Sequence, residues 1–392
     1  MTAHAPAFIN PLLGPDGAWS GYFVEFAPDK LDHETLRQLF NSPLIDAFDH
    51  RSLWLTPASS LESNASRFGE RAIAVFPANP AVTDVEPLKT LEGTLRQAAR
   101  KVALLASPER KLPGTGCWDY ILLASSHARS LPLFALTGLS SRTTLISIDV
   151  HTHSDREWAL ENASSFSTSE YLRTRSSTNT TADITRIKLL KLLALIVEDA
   201  ETDALGAIFR EEQKLSYSLL RLVNSAAISP RSPITSFSQA INLLGRRQLQ
   251  RWLQLLVYSD PNNGQSPNPL LQAAAARGRL LELLAPHLQS AAAEEHGGDL
   301  AFMIGTFSLL DVLLNIAMPE LIKQLPLPDV AHKALAEHSG PLGALLAAIA
   351  AADRRDLPMA SLKLTAHGIG AKDFLAAQLE AFSWAAKIRP LG

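Results

Sequence analysis

The chain has 392 residues, 46% of them hydrophobic, which is enough to bury two domain cores. Its 36 basic and 39 acidic residues give a formal net charge of -3, which excludes a strongly basic whole-molecule surface for nucleic acid or anionic membranes. The single cysteine, Cys117, excludes an intramolecular disulfide. Because the sequence shows neither a basic leader with an apolar core nor an apolar run long enough to span a bilayer, we expect a cytoplasmic protein without a membrane span.

Short apolar runs alternate with helix-compatible segments over the first half of the chain. Short buried strands that alternate with helices are typical of a parallel α/β sheet, which can close into a barrel. We therefore predict an α/β domain over residues 1–175, with Cys117 buried just ahead of one of its strands. The runs that predict strands are residues 52–55, 72–76, 101–105, 120–123 and 145–148.

The stretch 164–183 is rich in serine and threonine and separates this pattern from the second half of the chain. We predict a linker over residues 176–183 and an all-helical domain over residues 184–392. Ser236 and Gln239 form a capping box ahead of an apolar helix. Helical spacing of apolar residues predicts further helices at 184–197, 215–226, 246–258, 270–288, 300–316, 341–352 and 371–388.

Three consecutive blocks in the second half carry a specific resemblance. Residues 219–226, 234–245 and 246–253 read LLRLVNSA, ITSFSQAINLLG and RRQLQRWL. These blocks resemble the signature of HDOD domains, helical modules related to HD-type metal phosphohydrolases but lacking their metal ligands. The resemblance implies the same lack here, since the His-Asp dipeptide of the hydrolases would fall on Ser308 and Leu309.

A second resemblance covers the first half. The segment PLLGPDG at residues 11–17, followed by Gly21 and Tyr22, is similar to the opening β-hairpin of EAL domains, which often precede HDOD domains in bacterial signalling proteins. This resemblance implies a degenerate EAL-like (β/α) barrel followed by an HDOD domain. EAL catalysis, as the resemblance implies, uses Mg²⁺ or Mn²⁺ held by carboxylates and an asparagine, with a lysine that orients water. The corresponding positions hold Phe23, Thr56, Leu105, Ala106, Leu122 and Ile148.

Five residues of the helical half are candidates for binding a ligand or partner. Guanidinium groups match phosphate oxygens, so a cluster of arginines could hold a cyclic dinucleotide or nucleic acid. The simpler interpretation is a solvated helix face with local ion pairs, and for the asparagine a structural role at a helix end. The candidates are Arg221, Asn224, Arg246, Arg247 and Arg251.

A polar segment at the end of the last predicted strand is a candidate metal site. His151 and His153 alternate there, with Asp149 and Asp155 on either side. Three ligands within reach of one another would be required, and a solvated turn is the favoured interpretation.

Because the implied metal sites lack ligands, the sequence predicts a non-catalytic signal-transduction protein without cofactors. We expect a scaffold or adaptor, and the family resemblance implies that it acts in cyclic-di-GMP-linked regulation of motility or virulence. Other signalling proteins and a possible cyclic dinucleotide are the expected partners. Nucleic acid and membranes are not expected, and the oligomeric state is open. Two alternatives remain: a metal-dependent cyclic-di-GMP phosphodiesterase or phosphohydrolase that takes its metal from other positions, and a nucleic-acid-binding regulator that uses the helix at 246–251.

Overall fold

The computed structural model describes residues 4–28, 30–59, 67–175, 232–258, 268–288 and 291–388, with short pieces at 194–195, 198, 206, 219–220 and 223–224. At residues 237–238, 241–243, 246 and 291–297 it describes the backbone alone. The chain forms two compact units. One contains Met1–Thr174, Ala351–Ser361 and Gly370–Ala376, and the other contains Arg175–Ala350, Leu362–Ile369 and Ala377–Gly392. The predicted linker 176–183 lies outside the described residues, so the limits 1–175 and 184–392 stay predictions.

The first unit is built on a closed barrel of eight strands. The predicted hairpin is present as an antiparallel pair of β1 and β2. Strands β3 to β8 follow in parallel, and β8 closes the barrel against β1, where Ser167 pairs with Leu13. The strands are β1 Phe8–Leu13, β2 Trp19–Glu25, β3 Leu53–Pro57, β4 Ala72–Pro77, β5 Val102–Leu105, β6 Tyr120–Ala124, β7 Thr144–Ile148 and β8 Ser164–Ser167.

Strand β8 corrects the interpretation of the serine-rich stretch as a separator. Its serines are bonded to the neighbouring strand: the hydroxyls of Ser147 and Ser164 lie 2.8 Å apart. Just beyond the strand, the backbone N–H of Thr168 donates to the carbonyl of Ser147 over 2.9 Å. Strand formation here depends on the ladder supplied by β7, not on the weak β-propensity of serine.

Apolar side chains fill the barrel. They come from alternate positions of the strands, because successive residues of a strand point to opposite faces. The strands predicted from apolar runs are thereby confirmed. The buried interior residues are Leu12, Phe23, Leu55, Ile73, Val75, Ala103, Tyr120, Leu122, Ile146 and Ile148.

Five α-helices lie between the barrel strands in the described part of the first unit. They are α1 His33–Asn41, α2 Val85–Gln97, α3 Ser125–Ser130, α4 Leu133–Ser140 and α5 His153–Glu161. Asp32 begins α1 by accepting the N–H groups of Glu34 and Thr35, and Thr152 begins α5 by accepting that of Asp155. These caps satisfy backbone donors that a helix start leaves free.

In the described remainder of the chain all regular secondary structure is helical, as predicted. The helices are α6 Phe237–Leu256, α7 Pro269–Leu284, α8 Ala291–Phe307, α9 Leu310–Leu314, α10 Met318–Ile322, α11 Asp329–Glu337, α12 Gly340–Asp353, α13 Leu357–Ala366 and α14 Ala371–Ala386.

The capping box at the start of α6 is confirmed with one change of partner. Ser236 accepts the N–H of Gln239, whose side chain accepts from the backbone and hydroxyl of Thr235. Gly245 then breaks the helix with a φ of 71°, in the left-handed region that glycine adopts without strain. The two apolar blocks that meet at this glycine in the sequence therefore form two differently directed halves of α6.

Helices α7 and α8 approach closely at two glycines. A Cβ on Gly305 would lie 2.6 Å from the carbonyl oxygen of Arg277, and one on Gly278 would clash with the hydroxyl of Thr306. Only hydrogen side chains allow this backbone approach.

Among the described residues, one helical stretch is long and apolar enough to be tested as a membrane span. It is Asp329–Asp353, with a mean hydropathy of 1.2, and 50% of its apolar window is buried inside the protein. His338 and Gly340, with φ of 52° and 73°, divide it into α11 and α12. Buried core helices pass the same test, so the stretch is a poor indicator of a membrane span.

Candidate functional site at the carboxyl end of the barrel

The positions implied for metal ligands lie within the barrel wall. Phe23, Leu122 and Ile148 belong to its apolar interior. Thr56 is completely buried and follows the interior residue Leu55, so its side chain lies on the opposite face of β3. None of these side chains offers a carboxylate to the interior.

Acidic side chains gather instead just beyond these positions, at the carboxyl end of the parallel strands. Glu25 ends β2, two residues beyond Phe23 and therefore on the same face. Asp149 directly follows β7, and Glu170 lies in a short 3₁₀ turn after β8. We call Glu25, Asp149 and Glu170 the acid cluster. The carboxylates at the barrel end therefore lie at positions other than those that the resemblance implies.

Glu25 is held by one amide and one guanidinium. The side chain of Asn10 on β1 donates to its Oε2 over 2.9 Å. Arg355 donates to the same oxygen from Nε over 3.0 Å and to Oε1 from Nη2 over 2.5 Å. Burial raises the pKa of Glu25, and the neighbouring Glu170 and Asp149 raise it further, against the lowering effect of Arg355.

Arg355 joins all three members of the acid cluster. Its Nη1 donates to Asp149, and its Nε lies 3.8 Å from Oε1 of Glu170. Burial lowers the pKa of Arg355, but its three acidic neighbours outweigh this and raise the pKa overall. The guanidinium also lies 5.8 Å from the ring centroid of Phe23, within cation–π range.

The backbone around Arg355 is held in place by a second ion pair. Arg173, near Glu170 in the chain, donates to the carboxylate of Asp353 over 2.7 Å and to its carbonyl oxygen over 3.2 Å. Both Arg355 and Asp149 have left-handed backbone, with φ of 61° and 56°. Such conformations are uncommon for residues other than glycine, and strained backbone often occurs at functional sites.

One oxygen of the acid cluster has no partner. Glu170 is 5% exposed, and its Oε2 is buried without a hydrogen bond. A buried carboxylate oxygen left unsatisfied is costly, so its position calls for a ligand or a water.

The acid cluster supplies oxygen donors of the kind that hard divalent cations prefer. Its present arrangement does not fit a metal ion, however. Arg355 lies between the carboxylates, and the described part of the chain contains no group of three or more His, Cys, Asp or Glu side chains placed to hold a metal. No catalytic step is therefore assigned to a metal.

The alternating histidines do not meet as ligands. Thr152 caps α5, the ring of His153 packs edge-on against Tyr171 at 5.0 Å, and Asp155 pairs with Arg129 at 3.0 Å. Of the four polar residues in that segment, Asp149 alone belongs to the acid cluster. Cys117 lies just ahead of β6, as predicted, but its side chain is exposed and not buried.

The arginine face of α6 is paired with acidic residues. Arg247 and Arg251 both contact the carboxylate of Asp299. The Nε and Nη2 atoms of Arg251 lie 2.9 Å and 2.6 Å from Oδ1 of Asp299. Arg251 also pairs with Glu282 and lies 5.2 Å from the ring centroid of Phe302. These contacts are the local ion pairs of the simpler interpretation. Arg221 and the side chain of Arg246 lie outside the described residues, so ligand binding by the predicted set stays a prediction.

Asn224 is used to join two backbone segments. Its side-chain amide donates to the carbonyls of Leu220 and Ile234 over 2.7 and 2.8 Å, and its Oδ1 accepts the N–H of Ile234 over 2.8 Å. All of these partners are backbone atoms of the same unit, which accords with a structural role.

Comparison with known proteins identifies part of the helical unit. Residues 187–296 match the HDOD domain family. Together with the closed barrel ahead of it, this match confirms the predicted order of a closed barrel followed by a helical region that contains an HDOD domain.

Two curated proteins match about a third of the chain. One is the "cyclic di-GMP phosphodiesterase CdgJ" of Vibrio cholerae, 39% identical over 132 residues, which are 34% of this chain and 29% of that protein. The other is the "uncharacterized protein YuxH" of Bacillus subtilis, 32% identical over 126 residues, or 32% and 30% of the two chains. The matched part thus spans less than a third of either relative.

Two solved structures are similar at low TM-scores. One is the Bacillus subtilis YkuI protein, with an EAL domain, in complex with substrate c-di-GMP and calcium. It has a TM-score of 0.33 at 14% identity, and the aligned region covers 61% of this chain and 72% of that chain. A putative phosphohydrolase from Shewanella amazonensis has a TM-score of 0.34 at 17% identity, with coverages of 52% and 91%.

The comparisons correct the functional prediction made from the sequence. A relative with 39% identity over the matched region is named a cyclic di-GMP phosphodiesterase, so the interpretation as a non-catalytic scaffold, and with it the exclusion of an enzyme, is contradicted. The alternative, a phosphodiesterase that does not use the expected ligand positions, is the better supported one.

Proposed function

We propose that this protein is a phosphodiesterase that opens the ring of cyclic-di-GMP at the carboxyl end of its barrel. The observation that carries the proposal is the convergence of the acid cluster and Arg355, which come from four separate parts of the chain. In (β/α) barrels, active sites lie at the carboxyl ends of the strands. The relative in Vibrio cholerae that is named a cyclic di-GMP phosphodiesterase supports the choice of substrate.

The reaction needs a base and a positive charge. Water adds to phosphorus, the bond from phosphorus to the 3′-oxygen breaks, and that oxygen takes a proton, which leaves a linear dinucleotide with a 5′-phosphate. Glu25 can accept the proton of the attacking water, since its raised pKa makes it a stronger base than an ordinary carboxylate. The Arg355 guanidinium can bind two phosphate oxygens at once.

Substrate access requires one of the present partners of Arg355 to give way. Asp149 is the exposed member of the acid cluster, with 40% of its side chain accessible, whereas Glu25 and Glu170 are 13% and 4% accessible. The phosphodiester would therefore replace Asp149 on Arg355, while Glu25 stays in place as the base.

Turnover by the full chain tests the proposal. The purified protein is incubated with cyclic-di-GMP in the presence of Mg²⁺, Mn²⁺ or a chelator, and the linear dinucleotide is measured by chromatography. Glu25→Gln should lose turnover, whereas Glu86→Gln, which changes an exposed glutamate on α2, should retain it. Absence of the linear product under all three conditions would refute the proposed activity.

A cytoplasmic location and interaction with other signalling proteins belong to the same proposal. They are tested by cell fractionation and by identifying the proteins that co-purify with the intact chain.

A further inference from the structure

We propose that Arg173 and Asp353 are positioning residues that hold Arg355 over the acid cluster, so that a docked turn, and not the barrel itself, supplies the phosphate-binding cation of the site. The turn consists of residues 353–356, between α12 and α13, and we call it the docking turn. The consequence for turnover rests on the proposed function. The docking of the turn can be measured without any nucleotide.

The docking turn ends α12 with a motif that usually contains glycine. The N–H of Asp356 donates to the carbonyl of Ala351 over 3.0 Å, and the N–H of Arg355 donates to that of Ala352 over 2.9 Å. These two hydrogen bonds form a Schellman motif, in which the left-handed residue is usually glycine. Here that residue is Arg355, with a φ of 61°. Such strain persists only where the surrounding structure holds it, and it is common at functional sites.

The end of α13 shows the same motif in its ordinary form. The N–H of Gly368 donates to the carbonyl of Thr365 over 3.1 Å, and that of the next residue donates to the carbonyl of Leu364 over 3.0 Å. The left-handed residue there is Gly368, with a φ of 73°, which glycine adopts without strain. Since glycine is sufficient to end a helix in this way, the arginine in the docking turn calls for a reason other than helix termination.

Two ion pairs of opposite polarity fix the orientation of the docking turn. Arg173, at the end of the 3₁₀ turn after β8, donates to the carboxylate of Asp353 over 2.7 Å and to its carbonyl oxygen over 3.2 Å. Arg355 in the docking turn pairs with Glu25 and Asp149. A reversed placement would put arginine against arginine and carboxylate against carboxylate, which is costly. The charge pattern therefore selects the orientation that directs Arg355 to the acid cluster.

Asp353 is placed where a helix does not favour a carboxylate. It is the last residue of α12, and the negative end of the helix dipole favours cations at this position. Arg173 supplies the missing positive charge, and the two side chains are only 16% and 20% accessible. A pair that is so shielded and that also binds a backbone oxygen is held more firmly than an exposed pair. The 3₁₀ turn Glu170–Arg173 thus carries both a member of the acid cluster and the anchor of the docking turn.

Docking determines both the position of the cation and the basicity of the proposed base. Arg355 lowers the pKa of Glu25 against the raising effect of burial. If the docking turn moves away, the phosphate loses its guanidinium and the pKa of Glu25 rises further. A displacement of about 1 Å can cost about 100-fold in rate. Turnover should therefore depend on Arg173 and Asp353, although neither is proposed to contact the substrate.

Asp353→Asn in the full chain tests the positioning role, because asparagine keeps the shape of the side chain and removes its charge. We expect kcat/KM for cyclic-di-GMP to fall about 10–100-fold. The acid limb of its pH profile should move to higher pH, since Glu25 loses the lowering effect of Arg355. Without nucleotide, hydrogen–deuterium exchange of the amides of residues 354–356 should become about tenfold faster or more. Arg173→Gln should have the same three effects.

Two further variants make the result specific. Asp353→Glu keeps the charge and should retain kcat/KM to within about threefold and the pH profile of wild type. Arg354→Gln changes an exposed arginine of the same turn and should behave as wild type in all three measurements. If helix α12 alone mattered, Asp353→Asn would be neutral or stabilising, because it removes a carboxylate from the negative end of the helix dipole.

The outcomes separate this inference from the proposed function. If wild type turns over cyclic-di-GMP and Asp353→Asn does so equally well, the positioning role is wrong. Reduced turnover with unchanged exchange also overturns it, since Asp353 then acts in another way than through docking. If wild type shows no turnover, the phosphodiesterase proposal fails and exchange alone decides: faster exchange confined to the docking turn supports the positioning role, and unchanged exchange overturns it. If Asp353→Asn and Arg173→Gln both fail to fold, the pair is structural and the inference is wrong.

Discussion

Arg355 contacts both carboxylate oxygens of Glu25 across a separation of 330 residues in the chain. The two side chains are each 13% accessible, so the pair is largely removed from water. Glu25 belongs to a barrel strand, whereas Arg355 follows a helix near the end of the chain. This pair therefore joins a late segment, Ala351–Ser361, to the barrel within the first compact unit.

Arg355→Met should destabilise the protein. Removing one partner of a buried ion pair leaves the other charges uncompensated, which typically costs about 3–5 kcal/mol. The change in the free energy of unfolding is measured by urea unfolding of the barrel unit, with tryptophan fluorescence as the signal. Arg354→Met is the matched control and should change the unfolding free energy by less than about 0.5 kcal/mol. Equal stability of the two variants would show that the pair with Glu25 contributes nothing.

The raised pKa of Glu25 gives stability a defined dependence on pH. The folded state binds this proton more tightly than the unfolded state, in which the pKa is near 4.5. The contribution of Glu25 is therefore fully present below the unfolded pKa and is lost as pH rises through the folded pKa. We expect the unfolding free energy of wild type minus that of Glu25→Gln to fall as the pH rises above the unfolded pKa of about 4.5. A difference that grows with pH would contradict the direction of the shift.

Gly305→Ala should destabilise the helical unit, because its Cβ would overlap the backbone of Arg277 and Gly278. Overpacking of this kind costs about 1–3 kcal/mol. Gly138→Ala in α4 is the control, since its Cβ would meet nothing within 4 Å. That control should be neutral or stabilising by about 0.5–1 kcal/mol, because alanine favours helices. Thermal unfolding of both variants measures the contrast, and similar effects at the two glycines would argue against close packing of α7 and α8.

Asn224→Ala should lower stability by about 1–3 kcal/mol, since the three hydrogen bonds to Leu220 and Ile234 are lost and their backbone groups lose these partners. Gln248→Ala changes an exposed residue of α6 and serves as the control. Chemical unfolding gives the difference. Loss of ligand or partner binding at unchanged stability would instead support the prediction of Asn224 as a binding residue.

The strands of the barrel could largely be predicted because most are buried on both faces. Residues 72–77 and 120–124 are continuous apolar runs for this reason, and their positions follow from composition alone. Strand β8 could not be found in this way. Its serines carry no apolar pattern, and only pairing with β7 and β1 makes them a strand.

The carboxylate on β2 lies two residues beyond the position that the family resemblance implies. Phe23 occupies the expected place of a carboxylate, and Glu25 lies two residues further along the same face. The alternation of side chains along β2 is a signal in the sequence that could have identified Glu25. Asp149 stands beside two histidines in the sequence, a pattern that indicates a different kind of site.

Local patterns in the sequence determined the order of strands and helices, the HDOD blocks and the helix caps, because each depends on residues a few positions apart. Which charges meet was decided by the tertiary structure alone. Closure of the barrel brings the ends of β2, β7 and β8 together. Arg355 joins them from a segment near Asp353, which lies 180 residues after its partner Arg173 in the chain. Electrostatic interaction depends on distance in space, and the sequence carries no local pattern that records it.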